Sequence, residues 1–260
     1  MSSINDARGK PRQYKGLSLH PVKIKEVQEF YWAVECLALE KSASTNLKVL
    51  RMSYLDFLIT LMMEYEDLKF ELNFTPNDLK MKFSLLCELV FKVENIEFRQ
   101  TEFNTFELIF DNTITINGQE FDEIKKIIAE QNAIDLTDKF VNPEVRKKMK
   151  ETREFIRKQN QGKSAPLDQQ IIAYHCASGL SYDAIDELTI YQFNKGLARF
   201  NHMIHAQYVN QGIYAGTISM EKNKSAPSWL DLIKDVDIDD QLKINSDTFI
   251  NGLGEKGLVN

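Results

Sequence analysis

The chain has 260 residues, 43% of them hydrophobic, with a net charge of −6 at pH 7, so it can bury a large core without disulfide staples. The acidic balance argues against nonspecific binding to nucleic acid or to an anionic membrane. Three cysteines, Cys36, Cys87 and Cys176, are odd in number, widely spaced and set among apolar or helix-forming neighbours; reduced interior thiols of a cytosolic protein are expected.

Residues 1–16 are polar and basic, lack the apolar run of a signal peptide, and are expected as a disordered arm. Residues 17–24 alternate apolar and polar positions, which predicts a short strand confined to a sheet edge by Pro21. From Lys25 the period becomes helical, with Val27, Phe30, Tyr31, Val34 and Leu37 on one face. After the polar break at 42–46 a second helix is expected over 47–65. Its apolar run, residues 55–63, is interrupted by Asp56 and Thr60 and falls short of the roughly 20 residues that cross a bilayer. A third helix starts at Thr75-Pro76 and presents Leu79, Phe83, Leu86 and Val90 to a core.

Between 96 and 117 the period falls to two, with turn residues at Asn104, Asp111-Asn112 and Asn117-Gly118, which predicts a small antiparallel meander. A helix with Phe121, Ile124, Ile127 and Ile128 on its apolar face follows. Residues 142–159 are dense in lysine and arginine, while Val145, Met149, Thr152 and Ile156 form a narrow seam; this is a candidate connector helix, and 160–166 has linker composition. Interleaved Glu151 and Glu154 favour a solvated, internally paired face over an RNA track.

The C-terminal module opens with a helix ending near Gly179 and a short one capped by Ser181. The long helix after it has a capping box of Thr189 with Gln192 and a stripe of Ile190, Phe193, Leu197, Phe200, Ile204 and Tyr208. On that stripe Phe193, Leu197 and Ile204 are expected in the core, with Lys195, Arg199 and His202 outward. A stripe facing water would instead be a partner groove. The expected fold class is α+β, mainly α-helical: helices around a meander at about 96–117, then a helical C-terminal module. The expected division is an arm at 1–16, an α+β domain at 17–141, a basic connector and linker at 142–166, the helical module at 167–234 and a flexible acidic tail at 235–260.

Chemistry is sparse. His202 and His205 stand three apart on one helix, with His175 as a distant third ligand, but no cysteine or carboxylate lies at ligand spacing beside them, so no metal is expected. His175-Cys176 sits at a helix C-terminus, the wrong dipole end to activate a thiol, which makes Cys176 a core cysteine. Residues 173–193 mimic a helix-turn-helix, yet the helix that would face bases carries Asp183, Asp186 and Glu187 and no basic residue. The acidic stretch 235–240 lacks the glycine and terminal glutamate of a calcium loop. There is no glycine-rich phosphate loop, GxSxG elbow, HExxH or CxxC pair, so no catalytic residue and no cofactor is assigned.

Four segments in order, YLDFLITLMM, INGQEFDEIKKIIAEQNAIDL, NPEVRKKMKETREFIRKQN and LTIYQFNKGLARFNHMIHAQYVNQG, resemble a family of proteins from tailed phages and prophages of Gram-positive bacteria, the tail assembly chaperones. The resemblance spans about residues 17–233 and rests on helix patterns, without catalytic letters. It implies a non-enzymatic protein in the cytoplasm of the bacterial host that binds the tape-measure protein, helps bring tail-tube subunits to it, and leaves before the virion is complete. Such a role needs apolar grooves for a partner helix. Val145, Met149, Phe155 and Ile156, or Phe200, Met203 and Tyr208, are the candidate lining, and a homo-oligomer is compatible with it. Three alternatives remain open: a structural phage protein such as a connector or tail-completion subunit, a host-directed or nucleic-acid-binding regulator, and an enzyme using residues without a recognisable motif.

Overall fold

The computed structural model describes residues 4–44, 46–63, 75–93, 95–136, 165–219 and 225–233. The chain divides into two compact units, Met1–Val145 with Ala165–Leu197, and Arg146–Ser164 with Ala198–Asn260. Helices predominate, with two small antiparallel sheets, so the α+β, mainly helical class holds.

The first unit begins with a turn of helix, α1 (Ile4–Ala7), and a hairpin of β1 (Arg12–Tyr14) and β2 (Leu17–Leu19), in which Arg12 lies opposite Leu19. Lys15 and Gly16 both take positive φ, the two-residue turn whose twist matches a hairpin. Residues 4–16 are therefore not the disordered arm that their composition suggests. The reason is electrostatic. Asp6 is fully buried, and such a carboxylate needs a charged, hydrogen-bonded partner. Arg12 supplies it through Nε at 2.9 Å and a second bond from Nη2, while its Nη1 donates to Glu130 at 2.7 Å.

Next come α2 (Val27–Val34), α3 (Leu47–Arg51), α4 (Tyr54–Met63) and α5 (Pro76–Phe91). The single helix expected over 47–65 is broken because Met52 is extended and Ser53 starts a new helix: its hydroxyl accepts from the Asp56 amide at 3.1 Å and donates to the Asp56 carboxylate at 2.6 Å. Helix α5 opens on a reciprocal capping box of Thr75 and Asp78, with Pro76 at its first position; Leu79, Phe83, Leu86 and Val90 are buried as their spacing predicts.

The meander follows as β3 (Ile96–Gln100), β4 (Phe106–Phe110) and β5 (Ile114–Asn117), paired in that order. Asn117, the last strand residue, caps α6 (Gly118–Gln131) in a second capping box with Glu120. A β-carbon on Gly118 would stand 2.1 Å from Ser53 Oγ, so the start of α6 approaches α4 where only glycine fits. Asp56 fastens the same corner: its Oδ1 accepts from the Phe106 amide at 2.7 Å, as Asp122 Oδ1 does from the Tyr54 amide at 3.0 Å. Helix α2 packs on α5, and α4 packs on both α5 and α6, burying Phe30, Phe57, Phe110 and Phe121. Each such side chain contributes about 1.5–3 kcal/mol.

Three C-terminal helices follow: α7 (Leu167–Ser178), α8 (Tyr182–Asp186) and α9 (Ile190–Tyr214). Their first-unit part is tied to the N-terminal residues by backbone pairing. Ile24 N–H donates to Leu188 O at 2.8 Å, Ile190 N–H donates to Val22 O at 2.9 Å, and Lys23 bridges Thr189. Cys36 and Cys87 are buried, and burial raises both thiols well above the ordinary range. Cys176, expected in the core, is exposed: α7 buries Tyr174, and position 176 lies about 200° further round the helix.

Candidate functional site

Helix α9 starts as its sequence predicts. Thr189 N–H donates to Gln192 Oε1 at 3.0 Å and Gln192 N–H donates to Thr189 Oγ1 at 3.2 Å, the reciprocal cap. In residues 190–197, Ile190, Tyr191 and Phe193 are buried, and Phe193 stacks on Tyr174 with ring centroids 5.0 Å apart. Gly196 makes room for that ring, since a β-carbon there would lie 2.5 Å from the Tyr174 hydroxyl.

From residue 198 the helix belongs to the second unit, where it carries two faces. Arg199, His202, Ala206 and Asn210 recur at spacings of three and four and so share one face. That face holds the segment 225–233 by polar bonds to its backbone. Arg199 Nη1 donates to Trp229 O at 2.7 Å and Asp231 O at 2.9 Å, Asn210 Nδ2 donates to Pro227 O at 2.9 Å, and His202 Nε2 lies 2.8 Å from Ser228 O. The segment makes its own turn: Ser228 N–H donates to Asp231 Oδ2 at 2.8 Å and Asp231 N–H to Ser228 O at 3.0 Å. These bonds leave its apolar side chains, Trp229, Leu230 and Leu232, exposed.

The opposite face continues the apolar stripe. Phe200 is half-buried, but Ile204 is 43% exposed and Tyr208 is 68% exposed. Ile204 is therefore exposed where its period predicts core, and the local reason is that residues 225–233 are gripped by the polar face and are not laid over Ile204 and Tyr208. Arg199 and His202, expected to point outward, are the grip. Of the candidate partner-binding residues, Phe200 and Tyr208 thus share the ridge with Ile204, Phe200 half-buried and Tyr208 exposed, while Met203, four residues after Arg199, is exposed on the flank of the polar face. Val145, Met149, Phe155 and Ile156 lie outside the described residues.

The sequence marks residues 229–233 as a short amphipathic piece without a role; that α9 holds it by its backbone and leaves its apolar side chains exposed is not legible there. The signal for its turn is present in Trp229-Leu230-Asp231-Leu232, an apolar cluster with a serine one residue ahead to turn it. A concave feature in the first unit was missed from sequence. A cleft of about 1070 Å³ runs between α4, α5 and β3, lined by Met62, Met63, Phe83, Ile96, Phe98 and Phe106, and the Phe83 and Phe98 rings stand 5.8 Å apart. At its rim the Glu26 Oε2 atom is buried without a hydrogen-bond donor among the described residues.

The other sequence candidates resolve into structural roles. His175 Nδ1 lies 2.6 Å from Leu180 O and the ring stacks on Tyr182 at 4.5 Å, which shapes the α7–α8 turn. Glu187, in the helix-turn-helix look-alike, is spent on Lys23 and on Lys25 at 2.6 Å, and these bonds hold its carboxyl down to about 2. Among the described residues no group of three or more His, Cys, Asp or Glu stands where it could share a metal, and no helix is long and apolar enough to cross a membrane.

Comparison with curated proteins and with solved structures returns no match. Residues 157–234, under a third of the chain, match a family model described as the YomV second domain. The stretch that carries the ridge and its clamp is thus similar to a phage-associated YomV domain.

Proposed function

We propose that this chain is a non-enzymatic phage protein that binds other proteins, and that it acts as a tail assembly chaperone in the bacterial host cytoplasm. It would hold an apolar helical segment of the tape-measure protein and help bring tail-tube subunits to it. The observation that carries the binding role is the exposed pair Ile204 and Tyr208, one turn apart on a helix whose other face is already occupied. Exposed apolar surface of this kind marks a contact for another protein, and a helical ridge suits the apolar face of an amphipathic partner helix. The phage setting is supported by the match over residues 157–234, and the tail-assembly role by the order and pattern of the helices.

The test is co-expression with the tape-measure protein of the same phage, followed by affinity capture. A soluble complex is the expected result. Unchanged solubility of the tape measure with no complex defeats the proposal, as does finding this chain in stoichiometric amounts in purified virions, which would make it a structural subunit.

A further inference from the structure

The first unit carries a second concave feature, of opposite character to the apolar cleft. It is a notch of about 470 Å³ bounded by the turn after α1, the end of β2, the C-terminus of α5 and the start of α9. Charged and titratable groups line it from the turn after α1, the end of β2, the C-terminus of α5 and the end of α8: Arg8, His20, Lys23, Lys92 and Glu187. In a chain of net charge −6 this is a local reversal of sign. The one carboxylate does not neutralise it, because Glu187 already bonds Lys23 and Lys25. Arg8 and Lys92 form no ion pair among the described residues.

From this geometry we propose that the notch binds the phosphate group of a small phosphorylated molecule. Two unpaired cations, one of them a planar guanidinium, match the charge of a dianion and offer it a forked set of donors; a single carboxylate would leave one cation uncompensated. The volume accommodates a phosphate with a small attached group. The floor is rigid: Gly9 has φ +64, and a β-carbon there would lie 3.1 Å from Thr189 Cγ2 and 3.2 Å from Gln192 Oε1. Gln192 Nε2 also donates to Ala7 O at 3.1 Å, which locks the α1 turn onto the start of α9. His20 reports on the site. Burial and then the charge of Lys92 lower its pKa, and a bound dianion would push it the other way.

The experiment is a pH titration of the His20 imidazole by NMR in the full chain, at constant ionic strength, with inorganic phosphate, acetate or chloride as the anion. Phosphate is expected to raise the His20 midpoint by about half a pH unit or more relative to chloride, with acetate giving less than half that shift. The Arg8→Gln/Lys92→Gln double variant is expected to lose the phosphate shift while its His175 and His205 signals stay in place, showing that the fold is intact. Lys92→Gln alone, in chloride, raises the midpoint by removing a like charge. Equal midpoints in phosphate and chloride overturn the proposal. So does an undiminished phosphate shift in the double variant, and a shift in acetate as large as in phosphate overturns the preference for a dianion.

Discussion

Over residues 190–197 of α9 the apolar positions are largely covered: Ile190 and Phe193 are buried, Tyr174 lies flat against Phe193, and Leu197, expected in the core, is half-buried where the cover thins. Over residues 198–214 the same stripe runs on, but Ile204 and Tyr208 stand in solvent while the polar face of the helix holds the returning chain. The difference teaches that a helical period identifies a face and leaves open what covers it. Where another element lays an aromatic ring on the stripe, it is core. Where the returning segment is caught by arginine, histidine and asparagine on the far side, Ile204 and Tyr208 of the stripe stay exposed.

Substitutions in the two halves should therefore behave differently. Phe193→Ala removes a buried, stacked ring and is expected to cost about 3–5 kcal/mol by urea denaturation; a loss below 1 kcal/mol would mean that the first half is not core. The glycines give a sharper contrast. Gly196→Ala drives a methyl into the Tyr174 ring and should cost about 1–3 kcal/mol. Gly212→Ala meets Cδ1 and Cγ1 of the partly exposed Ile218 at 2.5 and 2.8 Å and its Cβ at 3.4 Å; the two outer carbons can rotate toward solvent and better helix propensity offsets the rest, so the net change should stay within about 1 kcal/mol of zero. Equal costs at the two glycines would erase the distinction.

On the ridge, Ile204→Ser and Tyr208→Ser should each change stability by no more than about 0.5 kcal/mol, as surface substitutions do. A large loss would show that the stripe is core after all. The smallest effect is at Glu187, whose carboxyl is held at about 2, below the ordinary 4.5, by Lys23 and Lys25. A depressed carboxylate stabilises the fold above its unfolded pKa, and the contribution fades as pH falls through the folded value. The urea midpoints of wild type and Glu187→Gln should therefore differ slightly at neutral pH and converge by about pH 2. A gap that persists at that pH would show that the pair does not fasten the start of α9.

Much of this was legible from the residues. Thr75-Pro76, Ser181 and Thr189 with Gln192 mark helix starts because a capping oxygen and a following donor act locally. The three strands of the meander follow from period two and positive-φ turn residues such as Asp111 and Asn112, which are also local. What was not legible depends on distant partners. Residues 4–16 read as an arm because Asp6 and Arg12 stabilise the turn only as a buried pair reaching to Glu130. The break at Met52-Ser53 is hidden by good helix formers on both sides. Ile204 read as core because its period matches that of Phe193, and only the placement of Ser228 and Trp229 against His202 and Arg199 shows which face the chain covers.

The most direct measurement of the central claim is capture of the co-expressed tape-measure protein by three forms of this chain: wild type, Ile204→Ser/Tyr208→Ser, and Phe98→Ser in the first-unit cleft. The ridge variant, folded to the same urea midpoint as wild type, is expected to lose at least ten-fold in capture while Phe98→Ser retains it, since a central apolar anchor is worth about 2 kcal/mol or more. Undiminished capture by the ridge variant, or loss in Phe98→Ser alone, would contradict the account and move the binding surface to the cleft between α4, α5 and β3.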